Sequence, residues 1–267
     1  MSDILILFTI TLFGLVFGSF ISAFSYRLVR GISIFKGRSF CDKCKKPIKW
    51  FENIPIFSFY FLKGRSACCR EHISIRYPVI EFATMLIFIL TGYAFITSGN
   101  SGNPIDLWHR LLGCLTLPHL LFISVFLITI FITDLEKKLI LDICIFIPLA
   151  MTLLLIIFFN PDYSYANLFL AFASASFFLL IHLLTKGRGM GLGDVKLVLI
   201  PPLILGWPYT IIWLFLSFII GAVTGVVLIF LHKAKFGKQI PFGPFLIISY
   251  FIVLFWGEKL LFLFNFK

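Results

Sequence analysis

Residues 187–206 read GRGMGLGDVKLVLIPPLILG: four glycines at alternate positions, then Asp194, then, past Lys196, an apolar run carrying Pro201-Pro202. The meaning of a carboxylate at the mouth of such a run depends on what surrounds the run. The rest of the chain supplies that. Of 267 residues, 60% are hydrophobic and 13% charged, and the mean hydropathy is +1.03, a balance outside that of ordinary soluble domains. A helix needs about 20 residues to cross a ~30 Å hydrocarbon core. Apolar runs on that scale begin near Ile4, Pro78, Leu111, Leu139, Tyr165, Val195, Pro208 and Gly243, the run from Val195 to Gly206 being the shortest. They do not alternate as barrel strands do, and backbone in lipid must pair internally, so they are read as helices. The expected fold is an all-α polytopic membrane protein of about eight transmembrane helices with one cytosolic loop domain. Its divisions are residues 1–26, a first transmembrane helix; 27–77, a cysteine-containing loop; and 78–267, a seven-helix membrane domain.

Charge placement orients it, because positive loops stay in the cytosol. Twelve of the 23 Lys and Arg residues fall between Arg27 and Arg76. Threading eight helices puts Lys137, Lys138, Lys186, Arg188, Lys196, Lys233, Lys235 and Lys238 on the same face, leaving only Arg110, Lys259 and Lys267 opposite. The net charge of +11 is therefore topology and not a nucleic-acid footprint. The first run, Ile4 to Phe24, has Asp3 as its only early charge and its basic residues after it, which reads as an uncleaved anchor rather than a secretory signal.

The loop of about 50 residues is too small for a self-sufficient core without a staple. Cys41-Asp42-Lys43-Cys44 is a CxxC half-site, a spacing that lets two thiolates approach one tetrahedral Zn²⁺, and a reducing cytosol argues against a disulfide. For the second half-site, Cys69-Arg70-Glu71-His72 offers CxxH. The expected ligands are Cys41, Cys44, Cys69 and His72, with Cys68 as the alternative fourth; the competing reading is a set of surface cysteines without metal. Cys114 and Cys144 lie in apolar runs and read as packing residues.

Ionisable residues at the ends of membrane helices are costly and call for a reason. Asp134 closes the third run and Asp194 opens the sixth, both at the cytosolic boundary, so 60 residues of separation do not prevent their meeting. Two carboxylates sharing a site do not both ionise cheaply: one keeps a proton while the other acts as base, enough to activate water against a peptide carbonyl and protonate the leaving amine. The glycines before Asp194, Gly191 and Gly193 nearest to it, strip Cβ atoms from the backbone so that an extended substrate can come close. The bland alternatives are an N-cap for Asp194 and a surface ion pair of Asp134 with Lys137 or Lys138. Asp142, at the start of the fourth run, reads as a support for the site or part of a polar cavity.

These motifs resemble the type IV prepilin peptidases of pilus and type II secretion systems, and the resemblance covers almost the whole chain. Gly191-Leu192-Gly193-Asp194-Val195-Lys196-Leu197 looks like the family's GxGD signature. Gly18-Ser19-Phe20 with Tyr26-Arg27-Leu28, Glu52-Asn53-Ile54-Pro55, Ile73-Ser74-Ile75-Arg76-Tyr77-Pro78 followed by Glu81, and Ile240-Pro241-Phe242-Gly243-Pro244-Phe245 are similar to further family motifs in the same order. The resemblance implies that Asp134 and Asp194 are the catalytic pair, supported by Gly191, Gly193, Lys196 and Asp142. The last of these sits where the family has the Asp of an Ile-Pro-Asp-like run, here Ile140-Leu141-Asp142. It also implies a second activity, N-methylation of the new N-terminus with S-adenosylmethionine. Gly64, Cys41, Cys44 and Cys69 belong to that methylation loop by resemblance, and Glu52, Asn53, Arg76 and Glu81 are polar groups placed to line its cofactor site. No glycine-rich nucleotide fingerprint marks that site. One departure stands out: the family's GxCxxC is Gly64-Arg65-Ser66-Ala67-Cys68-Cys69 here, with Ser66 where a cysteine is expected.

The resulting expectation is a bacterial inner-membrane enzyme, active site toward the cytosol, that cleaves the leader of type IV prepilins or pseudopilins and methylates the new end. A peptidase without methylation is the narrower rival. An ion-coupled transporter using Asp134, Asp142 and Asp194, and an assembly scaffold, are the others.

Overall fold

The computed structural model describes every residue except 1, 33–38, 42, 98–103, 106–114, 160, 188, 233–239 and 264–267. Leu111, Cys114, Arg110, Arg188, Lys267 and the Lys233, Lys235 and Lys238 cluster, all used above, lie outside the described residues. The described residues form helices, with β-pairing confined to two isolated bridges, Phe40 with Pro47 and Arg65 with His72. Two compact units divide the chain, Met1–Ile96 and Thr97–Lys267.

The first unit has two long helices, α1 (Ser2–Val29) and α3 (Arg76–Thr97), with a short α2 (Phe57–Phe61) in the loop that joins them. At 1.5 Å per residue both exceed the hydrocarbon thickness. Small residues let their backbones approach: a Cβ on Gly14 would lie 2.8 Å from the Met85 Cα, and one on Gly18 would lie 2.7 Å from the Glu81 Cα. This is the packing that Gly-x-x-x-Gly spacing permits between membrane helices, where apolar area gives no preference for protein over lipid. One polar tie joins the two helices and another fixes the loop to them. Arg76 Nη2 donates to Ser25 Oγ at 2.9 Å, and the Ile56 N–H donates to Glu81 Oε2 at 2.7 Å.

The second unit holds α4 (Thr116–Lys137), α5 (Asp142–Phe159), α6 (Pro161–Leu184), α7 (Leu192–Leu197), α8 (Ile200–Leu205), α9 (Tyr209–Phe230) and α10 (Gly243–Leu263). Helix α4 carries a fully buried stripe, Leu120, Ile123, Leu127 and Ile130, spaced by three and four residues, and the same step lands on Asp134. Helical phase alone therefore turns Asp134 inward. Helix α10 packs on α4 and α9, and the buried Trp213 Nε1 of α9 donates to the Leu246 carbonyl of α10 at 2.9 Å.

Among the described residues seven helices are long and apolar enough to cross a membrane, not eight. The sixth apolar run is instead the pair α7 and α8, six residues each, followed by Gly206 at φ +68°. Fourteen residues of helix from Leu192 to Leu205 would rise only about 21 Å, short of a bilayer core. All six residues of α8 are buried, so this run is apolar because it lies inside the unit, not because it faces lipid. The backbone there is satisfied from within: the buried Asn167 side chain of α6 donates to the Leu203 carbonyl at 3.1 Å.

Candidate active site

The second unit brings Asp134 and Asp194 together. Asp134 sits in the last turn of α4, which stops where Lys138 turns left-handed at φ +53° and returns its N–H to the Asp134 carbonyl at 2.8 Å. Asp194 is the third residue of α7, with Gly191 as N-cap. The two residues are 4% and 7% exposed. One Asp194 oxygen, Oδ2, accepts the Gly191 N–H at 3.1 Å, the reach-back half of a capping box. The other, Oδ1, and Oδ2 of Asp134 are buried with no hydrogen-bond partner. An unsatisfied buried acceptor costs about 1–3 kcal/mol, so structure alone gives no reason to keep both. Asp194 lies outside the seven long helices; burial first, and the neighbouring Asp134 carboxylate second, push its pKa up to about 7.

The surrounding glycines divide in role. Gly191 faces Asp194: a Cβ there would meet only Asp194 Oδ2, at 3.5 Å, and the Gly193 amide nitrogen, at 3.9 Å. Gly193 is a packing glycine, since a Cβ on it would meet Ile140 Cβ at 2.9 Å. Gly243, the first residue of α10, lies closest of all, its Cβ position 2.6 Å from Asp134 Oδ2. No role for Gly243 or Ile140 follows from sequence spacing, although the Pro-Phe-Gly-Pro run opening a membrane helix marks the spot. Asp142 and Lys196 form an ion pair at 2.7 Å that joins the start of α5 to α7; both side chains are more than a third exposed.

In the first unit, Cys41, Cys44, Cys68 and Cys69 have sulfurs all within 4.8 Å of one another. His72 is not in this group; it pairs with Arg65 in an antiparallel bridge. At the turn of residues 67–69, closed by Arg70 at φ +56°, the adjacent and exposed Cys68 and Cys69 both bring their sulfurs to the same cluster. Ser66 stands among the sulfurs, donating to Cys41 Sγ at 3.5 Å and lying 3.0 Å from Cys68 Sγ. Cys68 thus supplies a sulfur beside the place where Ser66 replaces one. The Ser66 hydroxyl first, then the Cys44 backbone, hold the Cys41 thiol down at about 6, while the Cys68 sulfur pushes Cys44 up to about 12. Tetrahedral Zn–S bonds of about 2.3 Å set sulfurs about 3.8 Å apart. The Cys41–Cys69 and Cys68–Cys69 separations, 3.7 and 3.9 Å, match this, and the Cys44–Cys68 separation, 2.9 Å, would open as metal entered.

Beside the cysteines the same unit has a cavity of about 180 Å³ between α1, the loop and the start of α3. Glu52, Asn53, Glu71 and Glu81 line it, together with aromatic faces that include Tyr26 and Tyr77. Gly64 and Arg76 are not among its lining residues. Gly64 is instead a turn residue at φ +68°, where a Cβ would press on the Phe59 ring, and Arg76 holds Ser25 as described. Sequence reasoning missed Ser19 and Ser22 of α1, which also line the cavity; the signal was a polar stripe on one face of an otherwise apolar helix.

A helical membrane unit that buries two carboxylates side by side, each with an oxygen left over, holds the pair of groups that an aspartic peptidase of the membrane requires. Two family models match: Bacterial Peptidase A24 N-terminal domain over residues 12–95, and Type IV leader peptidase family over residues 121–226. Among curated proteins, the chain is similar to a prepilin leader peptidase/N-methyltransferase of Aeromonas salmonicida, 34% identical with 84% of this chain and 72% of that one covered. Proteins of the same name from Legionella pneumophila (33%; 86% and 76% covered) and Klebsiella pneumoniae (36%; 73% and 82%) are also similar. No solved structure matches. The chain belongs to the type IV leader peptidase family.

Proposed function

We propose that this membrane peptidase removes the leader from type IV prepilins or pseudopilins at the cytosolic face of a bacterial inner membrane, and methylates the amine it exposes. The observation that carries the first half is the pair of partnerless oxygens on Asp134 and Asp194. The ionised carboxylate takes a proton from water as its oxygen attacks the scissile carbonyl. The protonated carboxyl stabilises the tetrahedral oxygen and then hands its proton to the leaving nitrogen as the C–N bond breaks. The basic residues that precede the short α7–α8 run, twelve from Arg27 to Arg76 with Lys137, Lys138, Lys186 and Arg188, fall on one face by threading whether or not that run crosses, and this supports a cytosolic site. Gly191 leaves room beside Asp194, and the Asp142–Lys196 pair steadies α7 against α5.

The methylating half rests on the loop of residues 27–77 and the helices that flank it. Carboxylates and aromatic faces suit a cationic sulfonium and an amine, so Glu52, Asn53 and Glu81 are assigned to hold S-adenosylmethionine, with Gly64 and Arg76 shaping the loop around them. Bound there, the cofactor supplies an electrophilic methyl group. Cys41, Cys44, Cys68 and Cys69 are assigned to a structural zinc that staples the loop. The test is the mass of a prepilin-like substrate after incubation with the enzyme in proteoliposomes and S-adenosylmethionine. Leader loss plus one methyl group is expected; an intact leader refutes the peptidase, and a free amine on the cleaved product removes the methyltransferase.

A further inference from the structure

We propose that the outer face of residues 49–63, in the first unit, is a docking surface for the headgroup region of an anionic lipid bilayer. Docking of this kind is independent of the methyl-transfer reading and is measured without substrate.

The segment has two faces. A single 3₁₀ turn, Trp50–Asn53, packs against α2. Glu52 and Asn53 of the turn, with Ser58 and Phe59 of α2, line the cavity. Their neighbours in the chain do the opposite: Trp50, Tyr60 and Phe61 are 80%, 78% and 77% exposed, and Phe51 and Phe57 are 49% and 56% exposed. A lone exposed apolar side chain needs no account, but five large aromatic ones between residues 50 and 61 form a patch, and patches of this kind mark interaction surfaces.

The depth of this patch is set by one hydrogen bond. The N–H of Ile56, the residue before α2, is tied to Glu81 Oε2 at 2.7 Å. Glu81 stands five residues into α3, about 7.5 Å along the axis from its first residue. Val79 and Phe82 beside it are 56% and 55% exposed, as lipid-facing side chains are. The segment is therefore held where lipid begins, at the ~5–10 Å headgroup and acyl boundary in which interfacial apolar faces bury. Aromatic rings, Trp and Tyr above all, favour that boundary. Charge selects the lipid. Exposed Lys49 precedes the turn, its Nζ 5.7 Å from the centre of the Phe51 ring, and exposed Lys63 follows α2. Glu52, the one acidic residue from 49 to 63, lines the cavity instead. An aromatic face with a basic rim matches an anionic leaflet, whereas a second copy of this basic loop would be repelled.

Trp50 is the only tryptophan of the first unit, so the emission lost in Trp50→Phe reports on this face alone. The full chain and Trp50→Phe are placed in bilayers of phosphatidylcholine with brominated acyl chains, with and without phosphatidylglycerol. Docking predicts that bromine removes most of the Trp50 emission, that phosphatidylglycerol deepens the loss, and that salt reverses the deepening. Lys49→Gln with Lys63→Gln should abolish the phosphatidylglycerol effect, and Tyr60→Ser with Phe61→Ser should restore much of the emission. All four side chains are exposed, so their loss leaves the fold intact; should the serine pair fail to accumulate, the Trp50→Phe comparison decides alone. Trp50 emission that bromine spares and aqueous iodide quenches overturns the proposal, as does bromine quenching that is the same without phosphatidylglycerol. Shielding from both quenchers that appears only with added prepilin-like substrate, or only at a higher ratio of enzyme to lipid, also overturns it and assigns the face to substrate or to a second copy.

Discussion

Asp194 gives one carboxylate oxygen to the Gly191 N–H, 3.1 Å away, and keeps the other buried and unpartnered. The N-cap expected of Asp194 is Gly191 instead, with Asp194 at N3 reaching back to it through one oxygen, while the other oxygen is the one on which the proposed catalytic role rests. The division makes the two roles experimentally separable.

Asp194→Asn retains an amide oxygen for the Gly191 N–H but no acid or base. Cleavage should fall about a thousandfold, within the range that general acid–base groups contribute, with thermal stability held. Asp194→Ala should lose cleavage equally and also lose about 1 kcal/mol with the cap. Asp134→Asn should match Asp194→Asn in rate. Single-turnover cleavage and thermal unfolding in detergent check both; an active Asp194→Asn enzyme would sink the mechanism.

The pair needs one proton to work, and Asp194, pushed up to about 7, is the group that holds it. A carboxyl raised in this way is protonated below that value and loses its proton as pH climbs through it. Cleavage should therefore decline on the alkaline side of about pH 7, the limb belonging to the coupled pair and not to one residue. The pH profile of kcat/KM measures this. A flat profile from pH 6 to 9 would contradict it.

The ion pair of Asp142 with Lys196 lies near this centre but outside it. Both partners are more than a third exposed, so solvent screening limits the pair to roughly 1 kcal/mol or less. Lys196→Met should leave cleavage within about tenfold and shift stability by no more than that amount. A thousandfold loss would place Lys196 in the chemistry instead.

The inward turn of Asp134 was legible because it shares the three-and-four spacing of Leu120, Ile123, Leu127 and Ile130, a periodicity any helix must obey. The break between α7 and α8 was not, because a run hidden inside a membrane bundle is as apolar as one bathed in lipid; only its length distinguishes them. The approach of Gly243 to Asp134 joins residues more than 100 apart in the chain, and no local pattern encodes such a contact. Choosing between Cys68 and His72 depended on a turn whose left-handed Arg70 has no Gly or Asn to announce it.

The four sulfurs give that choice a direct test. With Cys41, Cys44, Cys68 and Cys69 as ligands, purified enzyme should carry about one zinc per chain, as a closed tetrahedral site requires, and Cys44→Ser or Cys68→Ser should each lower zinc content sharply. His72→Ala should keep it, since the His72 ring is not among the gathered ligand atoms. Because a loop this small leans on its staple, chelation or either cysteine change should loosen residues 39–75, read as faster amide exchange, and depress methyl transfer. Cleavage, assigned above by proposal to Asp134 and Asp194 of the other compact unit, should survive at a measurable rate. Zinc retained in Cys68→Ser but lost in His72→Ala would restore the CxxH set and show that the two adjacent cysteines do not share a metal.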